Sequence, residues 1–202
     1  LFKRKANSNS WKHVETLNAS AADSLSQYGS SVAIGGDWCF SAGNDDHVLA
    51  HRRGSKSNAP SMQLTELVDP SPAAYEEFGA SVAISREWAV VGMPGTGFFE
   101  SRSSWNTNNP GAIAVYKRNG LGDTQGMWAT PDWSAGTEIT PPNIILSRRL
   151  GTKVAISNPD EGSPIIVASA PPAVWENGWE GEGEVFVWTL QGDDTWSDTP
   201  QL

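Results

Sequence analysis

The 202-residue sequence predicts an all-β protein of four-stranded antiparallel sheets stacked side by side, and three observations predict it. A seven-residue string recurs as YGSSVAI at 28–34, FGASVAI at 78–84 and LGTKVAI at 150–156. Each copy is followed, in constant order, by short apolar runs rich in Val, Ile and aromatic residues. Those runs break at Gly or Pro, of which the chain has 20 and 13, and no 3.6-residue periodicity lies between them. A fixed repeat decides the architecture before any single residue does.

The elements follow in order. The Val-Ala-Ile string is a first strand. Its preceding glycine supplies a backbone conformation or close approach that a Cβ would obstruct, and the small central alanine suits a crowded inner position. Second strands are DWCFSAG at 37–43, EWAVVGMP at 87–94 and PIIVASAPP at 164–172. Third strands are VLAHRR at 48–53, GAIAVYKR at 111–118 and GEVFVWTL at 183–190, with LFKRK at 1–5 the end of one more. Eleven residues before each first-strand motif stands Leu17, Leu67 or Ile139, and six before those stands Trp11, Ser61 or Trp133; WSDTPQL at 196–202 repeats that spacing. This Trp-to-Leu segment is the fourth strand and the outer edge.

From Leu17 to Leu67, Ile139 and Leu202 the periods are 50, 72 and 63 residues, and the variation falls in the connections, as repeats require. Four strands per unit without helices predict a β-propeller, with blades at about 18–67, 68–139 and 140–202 and the end of a preceding blade at 1–17. Residues 1–202 then form one domain, a partial ring. Closed propellers carry about 4 to 8 blades, so the expectation is a fragment or processed piece whose remainder comes from further chain or a partner.

Composition narrows the function. Lys and Arg number 14 against 23 Asp and Glu, a net charge of −9, which argues against nucleic acid as a partner. No apolar run reaches the roughly 18 residues that cross a bilayer. The start, LFKRKANSNS, lacks an initiator Met and the apolar core of a signal peptide. One cysteine, Cys39, excludes an internal disulfide; between Trp38 and Phe40 it reads as a core residue.

FGASVAI, EWAVVGMP and GAIAVYKR together resemble one whole blade of the FG-GAP repeat family, the integrin-alpha-type propeller, with its Phe-Gly, Gly-Ala-Pro and Gly-x-x-Tyr-Val pattern. The first copy departs from it with Tyr28 and SAG, the third with Leu150 and SAPP. The resemblance covers nearly the full chain. It implies a propeller, usually seven-bladed, in an extracellular or cell-surface setting. It also implies calcium in the hairpin between first and second strands, where a hard cation needs several oxygen ligands. The first two hairpins are too short; the third offers Asn158, Asp160 and Glu161, and a degenerate loop without metal is favoured over a calcium site there.

Ten tryptophans invite a glycan-binding reading, but five fall on repeat positions and are expected in the core: Trp38 and Trp88 on one, Trp11, Trp133 and Trp196 on another. Trp188 aligns with Tyr116 and is also structural. Trp128 lies off the repeat, as do Trp105, Trp175 and Trp179, and those last three sit in second-to-third-strand connections and are the candidate ligand contacts, for protein rather more than for glycan. Lys3-Arg4, Arg52-Arg53 and Lys117-Arg118 each close a third strand. Protection of sheet edges explains them better than an acidic ligand does, and Thr189-Leu190 breaks the series. Asn44-Asp45-Asp46-His47 reads as a tight polar turn. His13, His47 and His51 form no metal spacing and no Ser/His/Asp arrangement, so the expectation is a protein without catalytic activity. The sequon Asn18-Ala-Ser20 would carry an N-glycan in a secreted eukaryotic protein. The expected role is adhesion or structural assembly through other protein subunits. A lectin-like polysaccharide-binding module is the alternative, and an accessory propeller of a larger secreted enzyme a weaker one.

Overall fold

The computed structural model describes residues 1–5, 7–17, 28–43, 47–52, 63–72, 77–95, 110–119, 133–141, 149–157, 162–172 and 182–197. All regular structure within them is strand. A two-stranded ribbon pairs β1 (Phe2–Arg4) with β2 (Trp11–His13). The first sheet runs in the order β3 (Ser31–Gly35), β4 (Trp38–Ala42), β5 (Val48–Arg52), β6 (Gln63–Leu67). The second runs β7 (Ser81–Ile84), β8 (Trp88–Met93), β9 (Ala112–Lys117), β10 (Thr137–Ile139), and the third β11 (Lys153–Ile156), β12 (Ile165–Ala170), β13 (Glu184–Thr189). Every strand pair in these sheets is antiparallel. Of the expected fourth strand of the third sheet, 196–202, only residues 196 and 197 are described, and Trp196 forms a bridge with Leu190. The fold is that of β-propeller blades.

The repeat in the sequence is a repeat in register. Ser31 faces Ala42, Ser81 faces Gly92 and Lys153 faces Ser169. The glycines before these strands, Gly29, Gly79 and Gly151, have φ of +87°, +95° and +91°, and their N–H groups donate to Ala42, Gly92 and Ser169 respectively. A left-handed residue therefore turns the chain into each first strand, and glycine reaches that region without a Cβ penalty.

The first strands lie together at one side of the assembly, with β7 against both β3 and β11, while the fourth strands stand at the far edges. The approach there is close. An Ile84 methyl abuts Gly35, where a Cβ would lie 2.9 Å from it, and a Cβ on Gly92 would fall 1.9 Å from the Gly151 carbonyl oxygen. Ser81 donates to that same oxygen at 2.7 Å, and the Val82 N–H donates to the Ser31 hydroxyl at 3.0 Å. These contacts tie the first strands of three sheets to one another.

Side-chain burial shows the stacking directly. Strands alternate their faces, so a sheet covered on both sides is buried at every position. In β8 every residue is buried. Ala89, Val91 and Met93 pack with Trp38, Phe40 and Ala42 of the first sheet, whereas Trp88 and Val90 pack with Ile166, Ala168 and Ala170 of the third. Phe78 belongs to the first of these cores and Leu150 to the second, so the aromatic-or-Leu motif residues play one role at successive interfaces.

Candidate functional site

Two features built on this frame bear on function: the aromatic contacts that fasten sheet to sheet, and the faces left without a neighbour. Trp133, beside the third strand of the second sheet, packs edge-on against Trp38 at 5.6 Å and Phe40 at 5.2 Å in the first. Trp196 meets Trp88 in the same way at 5.4 Å, one sheet further on. Each fastening joins a fourth-strand tryptophan to the second-strand tryptophan of the preceding sheet. The indole N–H groups of Trp38, Trp133 and Trp196 are buried with no acceptor among the described residues, so these rings act through shape and apolar area.

Cations cover the same rings. Arg52 and Arg118 each stand 5.8 Å from the Trp38 ring, one from each of the two sheets, and both pair with Asp37, at 3.1 and 3.6 Å. Lys117 stands 5.5 Å from the Trp88 ring and pairs with Asp194 of the third sheet's last turn. Arg52 and Lys117 lie directly opposite Trp38 and Trp88 in register. Arg52, Lys117 and Arg118 of the basic series thus have a packing role as well. In the third sheet Ile165 takes the tryptophan position and Thr189 lies opposite it, so ring and cation vanish together. That covariation was readable in the sequence but needs the strand register to be seen. A further inter-sheet pair, Arg149 with Glu77 at 2.7 Å, joins the residues that precede Leu150 and Phe78.

Among the described residues no sheet lies over the outward face of the first sheet. In β7 and β11 the motif side chains Val82, Ile84, Val154 and Ile156 pack against the sheet before. Their counterparts Val32 and Ile34 are 67% and 73% exposed. On the same face a polar cluster replaces the apolar residues of the other sheets. Tyr28 shares a hydrogen bond with Ser41, and both contact Nε2 of His51, at 3.0 and 3.1 Å. Burial holds the His51 pKa below its usual value, against the opposing pull of the Glu15 carboxylate. Cys39 is on this face too, half-buried rather than core, and burial raises its thiol pKa. On the third sheet, Ile165 and Val185 remain exposed on the outward side.

Residues 62–116, from the fourth strand of the first sheet through the third strand of the second, match the family model described as FG-GAP repeat. The chain carries an FG-GAP repeat. Neither the curated proteins nor the solved structures give a significant match to the chain. The FG-GAP segment contains Phe78-Gly79, the Ile84 contact with Gly35 and Tyr116, whose hydroxyl donates to the Val68 carbonyl at 2.8 Å; burial first, then the Asp69 charge, raises that hydroxyl's pKa far above its usual value.

The sequence-derived site residues divide. Trp38, Trp88, Trp133 and Trp188 are buried and Trp196 packs beside the second core, as their repeat positions require. Trp11 departs from them. At 64% exposure it is not buried as the others are: its repeat position packs on the sheet before, and the described residues include no such sheet. The loop aromatics Trp105, Trp175 and Trp179, with Trp128, lie outside the described residues, as do the hairpin set Asn158, Asp160 and Glu161 and the sequon Asn18. Of the polar turn at 44–47 only His47 is described, and it pairs with Glu66. His13 contacts Thr16 at 3.2 Å and the Phe2 ring edge-on at 5.3 Å. Among the described residues no three His, Cys, Asp or Glu side chains are grouped to hold a metal, and no helix is long and apolar enough to cross a membrane. The Tyr28–Ser41–His51 cluster escaped sequence reasoning. Its signal was the change from Phe78, Val91 and Tyr116 at the matching positions of the FG-GAP segment.

Proposed function

We propose that this FG-GAP-bearing chain is an extracellular or cell-surface contact module, acting in adhesion or structural assembly through other protein subunits rather than by catalysis. One observation carries the reading. The outward face of the first sheet keeps the Val and Ile that are covered at both internal interfaces, and Val32 and Ile34 stand there in the open. An apolar pair at a position designed by the repeat for sheet-to-sheet contact is a surface for a protein neighbour. The exposed Ile165 and Val185 on the opposite end offer a second such surface. The sequon at Asn18 and the acidic balance support residence outside the cell.

Native mass measurement and electron microscopy of the protein from its source test the reading. A stable larger complex is expected, and a lone monomer there overturns it. Surface labelling of intact cells and the culture medium should recover the chain; recovery only from the cell interior removes the extracellular part.

A further inference from the structure

We infer that the Arg52–Arg118 pair at the junction of the first two sheets is a binding site for one compact oxyanion, a sulfate or carboxylate group. Both walls of this site are sheets the chain itself supplies, and it is separate from the outward faces proposed for assembly.

Two guanidiniums converge there on one carboxylate. Arg52, in β5, donates through Nε to Asp37 Oδ2 at 3.1 Å, whereas Arg118, at the end of β9 in the next sheet, reaches Asp37 Oδ1 only at 3.6 Å. That second separation is an ion pair beyond hydrogen-bond range. Arg118, whose side chain is 14% exposed, therefore gives no hydrogen bond from its guanidinium to any described residue. Its backbone is nevertheless fixed, by an N–H on the Glu87 carbonyl at 2.7 Å and a bridge to Trp133. A planar fork of charged donors that is held in place and largely desolvated is costly until an acceptor meets it.

The second junction shows the same position closed without such a group. Arg118 bridges Trp133 as Leu190 bridges Trp196, so the two residues are counterparts, and Leu190 packs on the second core. An apolar side chain is thus enough to fasten one sheet to the next at this point. The cation over Trp88 is Lys117, which has its own carboxylate in Asp194. Among the described residues the first junction instead sets two cations, each 5.8 Å from the Trp38 ring, against Asp37 alone.

Neutral donors add to this surplus. The indole N–H groups of Trp38 and Trp133, on fully buried rings, have no acceptor among the described residues. A junction rich in donors and short of acceptors suits a ligand that only accepts, and an oxyanion accepts through several oxygens at once. The guanidinium fork matches two oxygens of a sulfate or carboxylate together, as a lysine ammonium does not. Solvent reaches both arginines, so an anion can approach from outside the junction. A long polyanion is disfavoured by the net charge of −9, which leaves a single group, free in solution or borne on a sugar.

The probes are sodium sulfate and sodium acetate, titrated into the full chain at constant ionic strength and followed by proton–nitrogen correlation spectra of the arginine Nε–H and indole N–H groups. Saturable shifts at Arg52 and Arg118 are expected, with a Kd of ~1–10 mM or tighter. Arg118→Leu, which places the third sheet's residue at this position, should abolish the shift at Arg52 with the melting temperature unchanged or raised. Arg118→Lys keeps the charge without the fork and should weaken binding ~5-fold or more. Asp37→Asn removes the competing charge and should tighten binding, a response that a merely structural ion-pair network would not give. Lys117→Met, at the second junction, should leave binding unchanged. Shifts that grow linearly without saturation, binding that survives Arg118→Leu, or binding that weakens in Asp37→Asn overturns the inference. Galactose 6-sulfate and glucuronate separate the two sources: affinities equal to those of sulfate and acetate assign a free ion, and affinities at least ~10-fold tighter assign the acidic group of a glycan.

Discussion

Trp11 and Trp133 share one repeat position, yet the structure assigns them opposite worth, and replacing each by alanine separates sequence position from packing. Trp133 is 2% exposed and fills the junction of the first two sheets against Trp38 and Phe40. Removing a buried indole costs about 3–5 kcal/mol from lost transfer energy and the cavity left behind. The two edge-to-face contacts fall within that total, and the N–H that finds no acceptor trims it, so about 3–4 kcal/mol is expected. Against a total stability of about 5–15 kcal/mol that is a large fraction. Trp11, 64% exposed, should cost within ~0.5 kcal/mol. Urea unfolding followed by circular dichroism reads both as midpoint shifts at unchanged slope. Equal costs for the two variants, or a cost under ~1 kcal/mol for Trp133→Ala, would refute the claim that this tryptophan fastens neighbouring sheets.

Three further outcomes follow from the same contacts. Gly92→Ala sets a Cβ 1.9 Å from a backbone oxygen of the next sheet and should cost ~3 kcal/mol or more, whereas Gly29→Ala, with nothing within 4 Å, should cost only the left-handed strain of ~1–2 kcal/mol; thermal melts order them. His51 has a folded pKa below its unfolded value near 6.5, so its contribution to stability is complete above pH 6.5 and is lost as pH falls from there towards the folded pKa; denaturation midpoints at pH 7.5 and 5.5 should differ in that sense, and His51→Leu should flatten the difference. Arg52→Met removes one cation from the Trp38 ring and one partner from Asp37, both near the surface, and should cost ~1 kcal/mol, with a double-mutant cycle against Asp37→Asn giving a coupling of ~0.5 kcal/mol.

The strands were legible because their signals are local. Val-Ala-Ile after a glycine, and apolar runs closed by Gly or Pro, fixed first, second and third strands, and the left-handed φ of Gly29, Gly79 and Gly151 is the physical reason the motif glycine recurs. The inter-sheet chemistry was less legible because it joins residues far apart in the chain. Asp37 read only as the first residue of a second strand, yet it binds Arg118 in the next sheet as well as Arg52 in its own. The basic pairs were visible, but their purpose depends on Trp38 and Trp88 standing across the ladder. Trp11 shows the limit of a repeat argument: sequence places it with Trp133, while burial depends on the neighbour that a position faces. Tyr28, Ser41 and His51 are scattered over 24 residues and converge only once three strands are in register.

The central claim is that successive sheets lie face against face with their first strands side by side. Nuclear Overhauser contacts of the Ile84 γ2 methyl test it most directly. The account predicts a strong cross-peak to the α-protons of Gly35, 49 residues away in the chain and on the neighbouring sheet. A folded protein in which that methyl sees only its own sheet would contradict it.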